Sequence, residues 1–310
     1  RIEHAAATID PVFLNSPQFE CEPLSQALGC TLTLKVETLN PLRSFKGRGA
    51  DYFMHESAAR LEGRALVCAT AGNWGQAMAY VCRPSGTPPL AYTATRANPP
   101  KLERMRAMGA EVRLHSDDFD AAKAEARRFC AETGAYFVED GFEASIAEGA
   151  GTIGLELLRA GQAFDSVVLP LGNGALLAGV GRWIKARAPQ VRVVGVCAEG
   201  ADSMAASWNE GRVSETLGVR TIADGIAVRV PVPEALQDME HAVDEVLLVS
   251  DAAIERTMKL LHSSAGLIVE PAGAAGAAAL VGHTAFRGQG VATVVCGRNL
   301  TPQQMQRWLS

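Results

Sequence analysis

The run Val167-Val168-Leu169-Pro170-Leu171-Gly172-Asn173-Gly174-Ala175-Leu176-Leu177-Ala178-Gly179 decides how this chain is read. Its apolar start lacks polar alternation, as in a strand buried on both faces, and it passes through a glycine-rich turn into a helix. The backbone amides of such a turn and the positive helix end form a seat for phosphate. A dinucleotide fold offers a competing reading, but its G-x-G-x-x-G needs a glycine where Leu177 stands. Glu199, beyond the apolar run 191–196, could imitate the ribose-binding acid of that fold, so a nucleotide-binding oxidoreductase stays open as an alternative. A literal G-x-G-x-x-G at Gly149-Ala150-Gly151-Thr152-Ile153-Gly154 follows no strand directly and reads as a chance match.

On either side, short β-branched runs alternate with helical patterns. Strands are expected at 31–36, 65–69, 89–92, 111–114, 136–138, 166–169, 191–196, 245–249 and 291–295. Helices are expected at 47–61, 74–82, 100–108, 119–133, 152–160, 176–188, 251–264 and 272–281. This alternation predicts an α/β fold, a parallel sheet with helices on both faces. No Pro/Ser-rich linker divides the chain, so a second domain would have to be inserted in the first. In such sheets ligands sit at the carboxyl ends of strands, which directs attention to the strand-to-helix junctions.

Composition narrows the classes. Of 310 residues, 48% are hydrophobic and 20% charged, which suits a globular chain with a sizeable core. A net charge of −5 argues against a nucleic-acid partner. No apolar run is long enough for a membrane span, and the first residues lack a signal-peptide profile, so a cytoplasmic location is expected. Seven dispersed cysteines with no C-x-x-C read as reduced thiols, mostly in the core. Only six lysines occur: Lys35, Lys46, Lys101, Lys123, Lys185 and Lys259.

Three further junctions could carry chemistry. In Arg43-Ser44-Phe45-Lys46-Gly47-Arg48-Gly49-Ala50 a lysine opens a helix, where the dipole disfavours an ammonium and an amine nucleophile is suited to imine formation. Taken alone it could equally be a surface lysine. Thr70-Ala71-Gly72-Asn73-Trp74 is a strand-to-helix turn whose amides suit a carboxylate, or else a plain β-turn. Val295-Cys296-Gly297-Arg298-Asn299 ends a strand on a small polar residue, either a core thiol or a ligand contact. One ligand uses all four junctions: pyridoxal phosphate carrying an amino acid.

These residues resemble a known family. Ser44-Phe45-Lys46-Gly47-Arg48-Gly49-Ala50 resembles the S-F-K-x-R-G-A motif of fold-type II pyridoxal-phosphate enzymes of the threonine/serine dehydratase group, which share a tryptophan synthase β-like fold. Thr70-Ala71-Gly72-Asn73 is similar to S-A-G-N, and Gly172-Asn173-Gly174-Ala175-Leu176 stands at the tetraglycine loop. Ala223-Asp224-Gly225-Ile226-Ala227-Val228, Glu270-Pro271-Ala272-Gly273-Ala274 and Cys296-Gly297-Arg298-Asn299 follow in the family's order. The resemblance implies a large cofactor-binding domain at 1–66 and 146–310 with a small inserted domain at 67–145.

It also implies roles. Lys46 would hold the cofactor and then take the Cα proton, with Phe45 beside the ring and Asn73 on its hydroxyl. Gly172, Asn173, Gly174, Ala175 and Leu176 would hold the phosphate, Gly225 would border the cofactor, and Cys296 would face the pyridine nitrogen. Ser44, Thr70, Ala71, Gly72, Asn73 and Trp74 would meet the substrate, Thr70 to Gly72 through its carboxylate. Lys101, Lys123, Lys185 and Lys259 fall on predicted helices with no ligand loop beside them. The expected reaction removes water from an L-β-hydroxy amino acid and releases a 2-oxo acid and ammonia. β-Replacement, threonine synthase and serine racemase chemistry are the alternatives. Racemases of the group carry a serine where this chain has Ala71. Trp74 stands for a usual histidine, Arg43 for a glycine and Ala150 for a glutamine, so a bulky substrate such as phenylserine is a candidate. No metal is expected, since Ala201, Asp202 and Ser203 do not complete a cation site with Glu199. A homodimer without an isoleucine-responsive regulatory domain is expected.

Overall fold

The apolar runs pair into two sheets. A computed structural model describes residues 1–309. The chain opens with α1 (Ile2–Thr8), β1 (Gln18–Glu20), α2 (Glu22–Leu28), β2 (Thr31–Val36) and α3 (Lys46–Leu61). Next come β3 (Leu66–Ala69), α4 (Asn73–Val81), β4 (Leu90–Thr93), α5 (Pro99–Ala107), β5 (Glu111–Leu114), α6 (Phe119–Thr133) and β6 (Tyr136–Phe137). These four strands form one parallel sheet in the order β5-β4-β3-β6.

The chain continues with α7 (Ala144–Arg159), β7 (Ser166–Pro170), α8 (Ala175–Arg187), β8 (Arg192–Ala198), α9 (Ser203–Glu210) and α10 (Pro233–Met239). It ends with β9 (Glu245–Val249), α11 (Asp251–Ala265), α12 (Pro271–Gly282), β10 (Gly290–Val295) and α13 (Pro302–Leu309). The larger sheet has the order β1-β2-β10-β7-β8-β9, parallel except for β1, which pairs antiparallel with β2. From β7 the chain moves outward to β8 and β9, then returns to place β10 on its other side. The carboxyl ends of β7 and β10 therefore flank the point where strand order reverses, the place where such sheets bind ligands.

Helix α7 starts at Ala144, eight positions before the expected 152. Gly149 and Gly151 are interior helix residues, where α7 packs against α3 and α8 with no room for side chains. A Cβ at Gly149 would lie 2.5 Å from the Arg48 carbonyl, and one at Gly179 on α8 only 1.9 Å from that of Ala147. The G-x-G-x-x-G here is a packing feature, as expected for a chance match. The Ala/Gly-rich α12 packs equally tightly on β7: a Cβ at Gly276 would meet the Val168 carbonyl at 2.8 Å.

Beneath the α3 N-terminus lies a buried charge cluster. The Arg48 guanidinium, 0% exposed, donates to both oxygens of Glu37 at 2.7 and 2.8 Å and to both of Glu156 at 2.6 and 2.9 Å. Lys35 on β2 adds a second cation, 2.5 Å from Glu156. Two cations and two carboxylates make the cluster neutral, which meets the condition for burying charge. Burial opposes ionisation of Glu156, but Arg48 and Lys35 outweigh it and hold this carboxyl below the ordinary 4.5.

Replacing Glu156 by Gln leaves Lys35 buried with no carboxylate partner and Arg48 with Glu37 alone, and a stability loss of about 3–5 kcal/mol is expected at neutral pH. Because the folded-state pKa of Glu156 is depressed, its contribution is present above the ordinary 4.5 and fades as pH falls through the lower folded value. The gap between wild type and Glu156→Gln in denaturant midpoint should close on acidification. A gap independent of pH would contradict this account.

Candidate active site

A cavity of about 290 Å³ opens where the two sheets face each other. It is bordered by the turns after β3, β7 and β10, and by the first turn of α3. The structure brings Phe45, Lys46, Thr70, Ala71, Gly72, Asn73, Trp74, Gly172, Asn173, Gly174, Ala175, Leu176, Gly225 and Cys296 to its wall. Ser44 does not line it. Its backbone bridges to Gly297, the residue is 0% exposed, and its hydroxyl has no partner. The expected substrate contact by Ser44 finds no support in the cavity lining, where the residue lies buried behind the lysine.

Lys46 is the first residue of α3, and no side chain caps that helix. The Phe45 amide donates to the Cys296 carbonyl at 3.1 Å, so the end of β10 fixes where the lysine emerges. The ammonium lies 4.6 Å from the Phe45 ring centre and pairs with the Asp140 carboxylate. Arg43 takes the left-handed conformation, φ +56°, which explains why a glycine is usual at this position.

The turn after β3 is partly spent on itself. Thr70 Oγ1 accepts from the amides of Gly72 and Gly75 at 2.8 and 2.9 Å, and the Thr70 amide donates to the Tyr92 carbonyl. The Thr70 and Gly72 amides are thus already partnered, and the Thr70 hydroxyl proton and the Ala71 and Asn73 amides remain for a ligand. The Asn73 amide group donates to Glu270 and accepts from Asn299 at 2.8 Å, which fixes its orientation and leaves its second N–H unused.

After β7, Gly174 has φ +91° and caps α8 with no side chain, and the first turn of α8 holds no acid. A Cβ at Gly172 would sit 3.1 Å from the Gly225 carbonyl. These residues line the cavity at an uncapped helix end, which suits an anion. Opposite lies Cys296, whose thiol burial pushes up to about 12, reinforced by the Glu270 charge and opposed by Lys46. It stays a neutral thiol, not a nucleophile.

Charged groups at this site that had no role in the sequence reading include Lys101, Lys123, Asp140, Asp224 and Glu270. Lys101 and Lys123 both line the cavity, against the expectation that no ligand site lies beside them. Lys101, 2% exposed, reaches across to Asp224 at 2.8 Å and Glu270 at 3.5 Å. Burial works against its charge, but those two carboxylates raise its pKa. Asp140 follows β6, and the rule that ligands gather at carboxyl ends of strands would have found it there. Asp224 and Glu270 sat in quoted motifs without a role.

The family described as pyridoxal-phosphate dependent enzyme matches residues 9–297. The chain belongs to that family. It is a fold-type II, pyridoxal-phosphate dependent lyase of the threonine/serine dehydratase group. It is 34% identical over 306 residues to L-threonine ammonia-lyase of Thermotoga maritima, covering 99% of this chain and 76% of that one. It is 29% identical to a biosynthetic L-threonine dehydratase of Lactococcus lactis over 98% of this chain and 75% of the relative. Among solved structures, maize serine racemase superposes with a TM-score of 0.90 at 26% identity, covering 99% and 94% of the two chains. The processed form of threonine deaminase isoform 2 from Solanum lycopersicum gives 0.89 at 27%, covering 99% and 86%.

The residues present fit the cofactor of this pyridoxal-phosphate family. The uncapped α8 turn offers amides to a phosphate, Lys46 offers an amine in the same cavity, and the neutral Cys296 thiol sits on its wall. Among the described residues no group of three or more His, Cys, Asp or Glu is arranged to hold a metal ion.

All seven cysteines are buried and free. A thiol reagent should find none reacting quickly in the native protein and all seven after unfolding. Rapid native labelling of Cys296, located by peptide mass, would contradict its neutral, buried state.

Proposed function

We propose that this protein dehydrates and deaminates an L-β-hydroxy amino acid, giving a 2-oxo acid and ammonia. The observation that carries the reading is the convergence of the Lys46 amine, the uncapped glycine turn 172–176 and the Thr70–Asn73 turn on one cavity. The glycine turn would seat the phosphate, the amides of Ala71 and Asn73 would orient the substrate carboxylate, and Cys296 would stand at the ring nitrogen. When bound, the cofactor supplies the sink for the electron pair left at Cα. Lys46 takes the Cα proton, and the β-hydroxyl departs as water. A water molecule then replaces nitrogen at Cα, and ammonia leaves.

Threonine and serine are the substrates the relatives' names support. Phe119 and Phe137 add aromatic surface to the cavity and favour including phenylserine. Ala71 offers no side-chain acid or base, which supports elimination over the racemisation suggested by the likeness to maize serine racemase. We further propose residues 67–145 as a small inserted domain and a cytoplasmic homodimer as the working form, the latter checked by sedimentation.

Incubation with one amino acid at a time is the test. Oxo acid and ammonia should form from a β-hydroxy amino acid alone, with little inversion of the remaining substrate. Lys46→Ala should lower the rate at least about 10²–10⁴-fold, and borohydride reduction should no longer attach cofactor to that peptide. A requirement for a second nucleophile, or D-serine as main product, would overturn the reading.

A further inference from the structure

Six carboxylates line the cavity, and five are committed to cations other than the reactive lysine. Asp117 pairs with Arg96 at 2.7 Å, Asp118 with Arg229 at 3.0 Å, and Glu139 with Arg127. Asp224 and Glu270 share Lys101. The sixth, Asp140, is different. Among the described residues its one cation is Lys46, its side chain is 8% exposed, and Oδ1 is buried with no partner. Its position is set by the backbone: Gly141, at φ +95°, presses the loop onto the phosphate turn so closely that a Cβ would meet the Asn173 carbonyl at 2.3 Å.

Once the Lys46 amine is engaged, Asp140 is the one cavity carboxylate left without its cation, and it lies beside the atom that takes the Cα proton. Resting on the function proposed above, we infer that Asp140 is the proton carrier for the leaving hydroxyl. The proton removed from Cα by Lys46 Nζ crosses the Lys46–Asp140 contact, and the carboxyl delivers it to the departing β-oxygen. The Cα–H bond breaks, its electron pair becomes the Cα–Cβ double bond, the Cβ–O bond breaks, and water leaves. Lys46 and Asp140 return to amine and carboxylate, so the step needs no outside acid.

The test compares leaving groups in the holoenzyme. Water leaves readily only when the hydroxyl is protonated, whereas chloride needs no proton. In Asp140→Asn, kcat for the β-hydroxy amino acid should fall about 10²–10³-fold with KM little changed, while elimination from β-chloro-L-alanine stays within about threefold. Asp140→Glu should restore part of the hydroxy-acid rate. Cofactor affinity, measured by absorbance titration of the apoprotein, should not weaken, because no attractive contact to phosphate is removed. Equal losses on both substrates, or a weakened cofactor, would make Asp140 a support for Lys46 and overturn the proposal. A rise in KM alone would make it a binding group, with the same consequence, as would full activity of Asp140→Asn on the hydroxy acid. A wild-type enzyme that turns over β-chloroalanine and no hydroxy amino acid would overturn the parent reading as well; activity on both, with Asp140→Asn unaffected, overturns only this one.

Discussion

Arg48 is the residue on which the arrangement rests. It lies two positions after Lys46, and its guanidinium is gripped on both edges by Glu37, just past β2, and by Glu156 on α7. A bidentate guanidinium–carboxylate pair fixes distance and plane together, so two of them leave the first turn of α3 no freedom to rotate. Lys46 therefore leaves the helix in one direction, toward the cavity. A lysine in place of Arg48 would keep the charge and lose that orientation. The interior glycines serve the same end, since α7 can carry Glu156 to this point only by lying close against α3.

A second set of charges spans the cleft. Lys101 belongs to α5, beside the smaller sheet, whereas Asp224 and Glu270 belong to segments of the larger one. Glu270 also receives Asn73 and the Asn299 amide, so the ion pair and the turn at the mouth of β3 are one network. Burial raises the Glu270 pKa while Lys101 opposes it, and separating the two would leave a charge in an apolar setting. The network holds the walls of the cavity at a defined spacing and orients Asn73 without using its second N–H.

What could be read in the sequence divides along physical lines. Strands buried on both faces, such as 166–170 and 291–295, announce themselves as β-branched runs, and the junctions after them follow from the sheet's own geometry. The three-residue edge strand β1 has too little pattern to register. Gly149 and Gly151 mislead because local propensity penalises glycine in helices, while contact between helices demands it here. Charges were the least legible. Nothing local marks Lys101 as buried, since its cost is met by the distant Asp224 and Glu270, and Asp140 gains meaning only when the fold brings β6 beside α3.

The scarcity of lysine takes on a structural sense. Lys35, Lys101 and Lys123 are buried, and each is neutralised by carboxylates: Glu156; Asp224 and Glu270; Asp120 and Glu139. An amine committed to buried carboxylates in this way is not free to attack a carbonyl. Lys46 differs because it meets the cavity with a single carboxylate, Asp140, whereas Lys101 and Lys123, which also line the cavity, each hold two, and Lys35 lies outside it. Selectivity among the lysines at the cavity thus comes from how firmly Lys101 and Lys123 are bound. The phosphate needs no lysine, because backbone amides of the α8 turn supply its charge complement, and a chain of net charge −5 can hold an anion without a basic surface.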